Sequence, residues 1–198
     1  KQKKRISHEF FRGIFFFLGH IAKIDGKLSQ EEVENRNILL DKLELTKTEK
    51  ELAKDYFNLG LNEQSKVHVE LQLLKINIIN DRHLCQLFYE IICTYGKAEG
   101  SYNNELHELL ETISLTLNIN TSQTTNDYVE KDPYAILGVN KPTTYYELKT
   151  KYRKLIKEYH PDLLKSKGLP ENFIEFAKNK ARDINNAYDE IKKQENFK

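Results

Sequence analysis

Residues 158–165 read Glu-Tyr-His-Pro-Asp-Leu-Leu-Lys (EYHPDLLK), and they set one of the chain's four prolines between a histidine and an aspartate. A proline steers the residue before it out of helical geometry. The sequence therefore predicts that a helix arriving here ends at or near Tyr159, and that Pro161 and Asp162 begin a loop. Upstream, Thr144-Tyr-Tyr-Glu147 has the hydroxyl-to-carboxylate spacing of a capping box and opens that helix. Along it Tyr145, Leu148, Tyr152, Leu155 and Tyr159 share one face, while Lys149, Arg153 and Lys157 share another, flanked by Lys151 and Lys154. Downstream, Phe173, Phe176, Ala177, Lys180, Ala181, Ile184, Ala187, Tyr188 and Ile191 mark a last long helix. Two amphipathic helices joined across about ten residues pack as an antiparallel hairpin. A short helix, YAIL, lies alongside: Asp132 caps it, Pro133 takes its first position and Gly138 closes it in left-handed geometry.

The rest of the chain is also patterned as helix, so the fold class expected is all-α. Over residues 8–24, Phe10, Phe11, Ile14, Phe15, Phe17, Leu18, Ile21 and Ile24 form a stripe too broad for a solvated helix, which predicts a central core helix stopped at Asp25-Gly26. Ser29-Gln-Glu-Glu32 reads as a capping box opening a helix through Leu43, and Thr46-Lys-Thr48-Glu49 as another, running to about Leu59. Further helices are expected across 66–79, 81–95 and 103–117. Lys23-Ile24-Asp25-Gly26 with Glu31 is echoed by Lys97-Ala98-Glu99-Gly100 with Glu105, every pair 74 positions apart, which suggests a duplicated helix-turn-helix unit. NINTSQTTNDYVEK carries little apolar periodicity. The expected organisation is a helical domain over 1–120, a linker over 121–131 and a second domain over 132–198.

Bulk properties bound the function. The formal charge is +1, so no global attraction to nucleic acid or anionic membrane is implied. Residues 132–198 nevertheless hold 14 basic and 10 acidic side chains, leaving 17 and 20 for residues 1–131, so the two parts are oppositely biased. Cys85 and Cys93 are the only cysteines. They fall in apolar helical patterns as core thiols, build neither a disulfide framework nor a C-x-x-C site, and suit a reducing compartment. The apolar run FFRGIFFFLGHIAKI is interrupted by Arg12, His20 and Lys23 and falls short of the roughly 20 apolar residues of a membrane span. It lacks the small-residue cleavage site of a signal peptide. As given, the chain reads as soluble.

Several features have a plain reading beside a functional one. X-Pro-Asp by itself is ordinarily a turn, and a basic helix face ordinarily a solvated surface; only the helices around them favour more. Tyr145, Tyr152 and Tyr159 share their face with leucines and read as packing residues. Asp25, Glu31, Glu99 and Glu105 offer hard oxygen ligands to calcium or magnesium, but capping and turn chemistry explain them equally well and the ligand density of an EF-hand is lacking. His20 reads as a satisfied core histidine, and His8, His68, His83 and His107 show no shared ligand spacing.

DPYAILGV, the T-x-x-E-L-K-x-x-Y-R-K-L helix, Y-H-P-D and the later D-I-N-N-A-Y-D-E-I resemble the J domain of DnaJ-type co-chaperones in order and spacing, over about residues 132–193. The loop LLKSKGLPENF and the ending KKQENFK resemble the DjlA branch of that family. FFFLGHIAKIDGKLSQEEV and YGKAEGSYNNE look like the TerB-like domain that precedes the J domain there. The resemblance implies a DnaK-type ATPase chaperone as partner, with faster ATP hydrolysis locking client polypeptide onto it. Carried over position by position, it assigns partner contact to His160, Pro161 and Asp162, to the basic Lys149, Arg153 and Lys154, and to Arg182 on the last helix. It implies no cofactor. Two departures are visible: Ala181 replaces an aromatic in the commoner K-F-K-E-I, and Leu163 stands where a lysine often follows the triplet. The resemblance also implies an upstream span anchoring the protein to the bacterial inner membrane with this chain facing the cytoplasm, and a homodimer formed through that segment is compatible with it.

The leading expectation is thus a non-enzymatic co-chaperone. An enzyme using His160 and Asp162 as an acid/base pair is disfavoured because the sequence offers no evident pocket or nucleophile. A third reading makes residues 1–131 a metal-responsive stress-sensing or interaction module carrying the main activity. Nucleic-acid binding is weaker still, since the basic face lacks a base-reading set and the hairpin needs the apolar one.

Overall fold

The computed structural model describes residues 2–24, 45–98, 104–119, 132–167, 169 and 171–197. Among the described residues every regular element is helical, and the chain divides into two compact units, Lys1–Ile119 and Asn120–Lys198.

In the first unit, α1 (Gln2–Ile21) touches α2 (Lys47–Asn62), α3 (Val67–Ile78) and α4 (Arg82–Ala98). Residues 13–19 of α1 are buried without interruption, which is why its sequence is apolar nearly all round. Phe10 and Phe17 each meet the edge or face of Phe88 on α4 at 5.8 Å, favourable edge-to-face geometry. The arginine interrupting this apolar run is paired: Arg12 Nε and Nη2 donate to Glu70 Oε2 and Oε1 at 3.0 and 2.5 Å, and Glu70 is only 5% exposed. Such a two-pronged pair satisfies the buried carboxylate with a half-buried guanidinium and ties α3 to α1. Cys85 and Cys93 are free and buried; Cys85 Sγ donates to the Ile78 carbonyl at 3.2 Å, and burial pushes its thiol up to about 11.

α2 starts as its sequence predicts. Thr46 Oγ1 accepts from the Glu49 amide and the Glu49 carboxylate accepts from the Thr46 amide at 2.9 Å, a complete capping box. The helix runs on to Asn62, past the expected Leu59. α3, α4 and α5 (Asn104–Thr116) follow the predicted spans closely. The duplicated endings differ. Lys23 and Ile24 sit in a turn whose amides bond three residues back, to His20 and Ile21, whereas their counterparts Lys97 and Ala98 are still helical. Asp25, Gly26, Glu31, Glu99, Gly100, the helix expected from Ser29 and the 121–131 linker lie outside the described residues.

His20 corrects an expectation. Its Nδ1 is buried, burial lowers its pKa, and among the described residues that nitrogen has no hydrogen-bond partner, so the expected satisfaction is not met there. The backbones of α1 and α2 approach closely beside it: a Cβ on Gly60 would lie 1.9 Å from the Phe16 carbonyl oxygen and 2.9 Å from the His20 backbone nitrogen.

The second unit comprises α6 (Pro133–Leu137), α7 (Tyr145–Glu158), α8 (Pro161–Ser166) and α9 (Glu171–Gln194), with α9 touching all three others. Asp132 caps α6, accepting from the Tyr134 amide at 3.1 Å, and Gly138 ends it at φ 60° and ψ 44°, as the sequence predicts. The start of α7 is only half the expected box. Thr144 Oγ1 accepts from the Glu147 amide at 3.2 Å, but the Glu147 carboxylate lies 3.5 Å from the Thr143 hydroxyl instead of reaching back to the Thr144 amide. Rising positions on α7 meet falling positions on α9: Tyr145 packs on Phe197 at 5.5 Å, while Tyr152 stacks on Tyr188 at 4.1 Å and donates to Asn185 Oδ1. The hairpin is therefore antiparallel. Its far end is secured by a Schellman turn at Asn196, φ 54°, and by the buried Tyr134 hydroxyl donating to Glu195 at 2.7 Å.

The tight α1–α2 crossing predicts a contrast measurable by chemical denaturation. Gly60→Ala should destabilise the first unit by about 3 kcal/mol or more, because backbone must move. Gly13→Ala, whose Cβ would meet only the side-chain ends of Phe88 and Leu74 at 3.2 and 3.3 Å, should change stability by less than about 1 kcal/mol.

Candidate functional site

The site is the bend between α7 and α8. α7 ends at Glu158, and Tyr159 caps it with its amide bonded to the Leu155 carbonyl at 3.1 Å. The proline then does what its position dictates, but the outcome differs from a loop. His160 is extended, at φ −67° and ψ 122°, and Pro161 takes the first position of a new helix. A proline fits there because its fixed φ is helical and its missing N–H would be unbonded anyway. Pro161 and Asp162 thus open α8, which corrects the expected loop.

Two apolar side chains pin this bend. Tyr159 before it is 5% exposed and Leu164 after it 0%, with Leu169 and Phe173 also buried. Full burial of a leucine is worth roughly 1.5–3 kcal/mol. Between those anchors the polar groups face outward: the His160 and Asp162 side chains are 52% and 85% exposed. His160 Nδ1 accepts from the Asp162 amide at 3.3 Å, and lies 4.0 Å from Asp162 Oδ2. Lys165, one turn on, pairs with Glu171 at 3.4 Å, tying α8 to the start of α9, where Lys178 bonds Glu175 at 2.8 Å.

The basic residues lie on the helix that leads into the bend. Arg153, Lys154 and Lys157 are exposed, whereas Lys149 and Lys151 are half-buried. Lys149 Nζ sits 5.3 Å over the Tyr145 ring. A hydrogen bond with Tyr188 and then the Lys149 ammonium hold the Tyr145 phenol below the usual tyrosine value, while burial and then Tyr145 push Tyr188 up to about 12. Tyr145, Tyr152 and Tyr159 are consequently packing residues, as their shared face suggested. Arg182 is exposed on α9 and bonds Asn179 Oδ1 one turn away. Ala181 is half-buried beside it.

The arrangement presents a carboxylate and an imidazole on a rigid bend at the end of a cationic rod. It can accept charged hydrogen bonds and steer an acidic partner. Of the acidic positions considered as metal ligands, only Glu105 is described, and it is exposed on α5; no group of three or more histidines, cysteines or carboxylates forms a metal site among the described residues. Among the same residues no helix is long and apolar enough to cross a membrane. Sequence reasoning missed α8, the capping by His160, and the anchors Leu164 and Leu169. The signal for the first was present, since proline at a first helical position follows a capping residue just as it does at Asp132-Pro133.

Comparison with known proteins addresses the whole chain. The DnaJ domain family matches residues 132–197. The co-chaperone protein DjlA of Vibrio cholerae is 28% identical over 96% of this chain and 79% of its own length. That of Shewanella oneidensis is 29% identical over 98% of this chain and 80% of its own, and that of Photobacterium profundum 29% over 96% and 79%. No solved structure matches the chain. The chain thus carries a DnaJ domain that spans the bend, and it is similar to DjlA co-chaperones along nearly its full sequence.

Proposed function

We propose that this chain is a co-chaperone that docks a DnaK-type chaperone in its ATP state and accelerates that partner's ATP hydrolysis, so that client polypeptide is held. The observation that carries the reading is the outward presentation of His160 and Asp162 between the buried Tyr159 and Leu164. A side chain 85% exposed on a backbone anchored at both ends meets a partner with little ordering cost. Lys149, Arg153 and Lys154 orient the encounter with an acidic surface; Asp162 then accepts from a partner cation and biases the partner's own conformational equilibrium. Arg182 adds a contact from α9. In this reading the chain performs no chemistry itself, because the hydrolytic step belongs to the partner's nucleotide site.

The first unit supplies a binding or assembly surface of TerB-like type, a reading supported by the likeness to DjlA along that part of the chain. Attachment to the cytoplasmic face of an inner membrane, and any homodimer made through an upstream segment, rest on the family resemblance.

Single-turnover ATP hydrolysis by a DnaK-type chaperone tests the central step. The wild-type chain should accelerate it at least tenfold, and Asp162→Asn should remove most of that acceleration while leaving the thermal unfolding of the chain unchanged. Acceleration that survives Asp162→Asn undiminished would overturn the proposal. Reversing Lys149, Arg153 and Lys154 to glutamate should act differently: stopped-flow association should slow at least tenfold at low salt and lose most of its dependence on ionic strength.

A further inference from the structure

The start of α8 accounts for every one of its backbone donors, and this explains why a histidine stands at position 160. A helix leaves its first amides without partners inside the helix. Pro161 has no N–H to leave. The Asp162 amide donates to His160 Nδ1 at 3.3 Å, and the Leu163 and Leu164 amides donate to the His160 carbonyl at 3.1 and 3.3 Å. Nothing is left over, in a helix of only six residues that has few bonds of its own to hold it.

An imidazole nitrogen that accepts is the unprotonated one. Capping by Nδ1 therefore places the hydrogen of a neutral ring on Nε2, on a side chain that is 52% exposed. We infer that His160 is a positioning residue: through Nδ1 it caps α8 and sets the direction of the Asp162 carboxylate, which makes the partner contact. This rests on the co-chaperone reading above and deepens it by dividing the triplet's labour. His160 supplies the acceptor, Pro161 removes a donor and presets φ, and Asp162 contributes an amide inward and a carboxylate outward.

The chemistry offers two substitutions that separate capping from any contact made by Nε2. In His160→Asn the side-chain oxygen stands the same number of bonds from Cα as Nδ1, and asparagine is among the best capping residues. In His160→Gln the amide sits one bond further out, near the place of Nε2, and the cap is lost. Each full-length variant is assayed for stimulation of a DnaK-type ATPase in single turnover, with the Asp162 amide followed by NMR. His160→Asn should keep at least about a third of the wild-type stimulation and a protected Asp162 amide, while His160→Gln should lose stimulation at least tenfold together with that protection.

Equal loss in both variants, with the Asp162 amide still protected in His160→Asn, would overturn the inference and give the essential contact to Nε2. If the wild-type chain itself stimulates nothing, the co-chaperone reading falls separately. The cap is then judged on the nitrogen resonances of the wild-type imidazole at neutral pH, where an unprotonated Nδ1 supports it and a protonated Nδ1 overturns it.

Discussion

Burial of Tyr159 and Leu164 on either side of the α7–α8 bend is the constraint on which the rest of the second unit depends. A proline-containing bend in solvent samples many directions. With one aromatic and one aliphatic anchor in the core, the residues between them keep a single direction, so His160 and Asp162 can be exposed without being loose. The energy involved is a few kcal/mol, the order of the free energy of a domain-sized fold's marginal stability. α9 is what makes that burial available. It lies against α6, α7 and α8 together, and the residues just after it hold α6 through Glu195 and Tyr134 and α7 through Phe197 and Tyr145.

The same separation of labour governs charge. Glu70 and Arg12 in the first unit are half-buried or buried and mutually satisfied, which makes them structural. Arg153, Lys154, Lys157 and Asp162 are exposed, where ion pairs contribute little to stability and are free to serve recognition. Lys149 stands between the two cases, half-buried with its ammonium laid against the Tyr145 ring, so its direction is less free than that of its neighbours.

Much of this was legible in the sequence because it follows from local rules. Periodicity placed the helices of the described residues other than α6 and α8, Thr46 and Asp132 announced their caps, and Gly138 announced a left-handed stop. The motif residues around position 160 carried the family resemblance. What was missed depended on longer range or on finer stereochemistry. Nothing near Thr144 indicates that Glu147 would turn to Thr143 rather than back to the helix start. His20 reads as a satisfied histidine from its apolar neighbours in sequence, whereas whether its Nδ1 meets a partner depends on side chains remote in sequence, and among the described residues none reaches it. The loop expected after His160 became a helix because a proline that ends one helix is also suited to begin the next, and the histidine before it carries an acceptor at capping distance.

Hydrogen exchange of the full chain, with and without a DnaK-type chaperone in its ATP state, tests most directly whether the basic rod and its bend are the docking surface. Amides from about Lys149 to Leu164 should slow on addition of the partner, with the change centred on His160 to Leu163. Unaltered exchange across that stretch, with protection appearing only in the first unit or nowhere, would contradict the account.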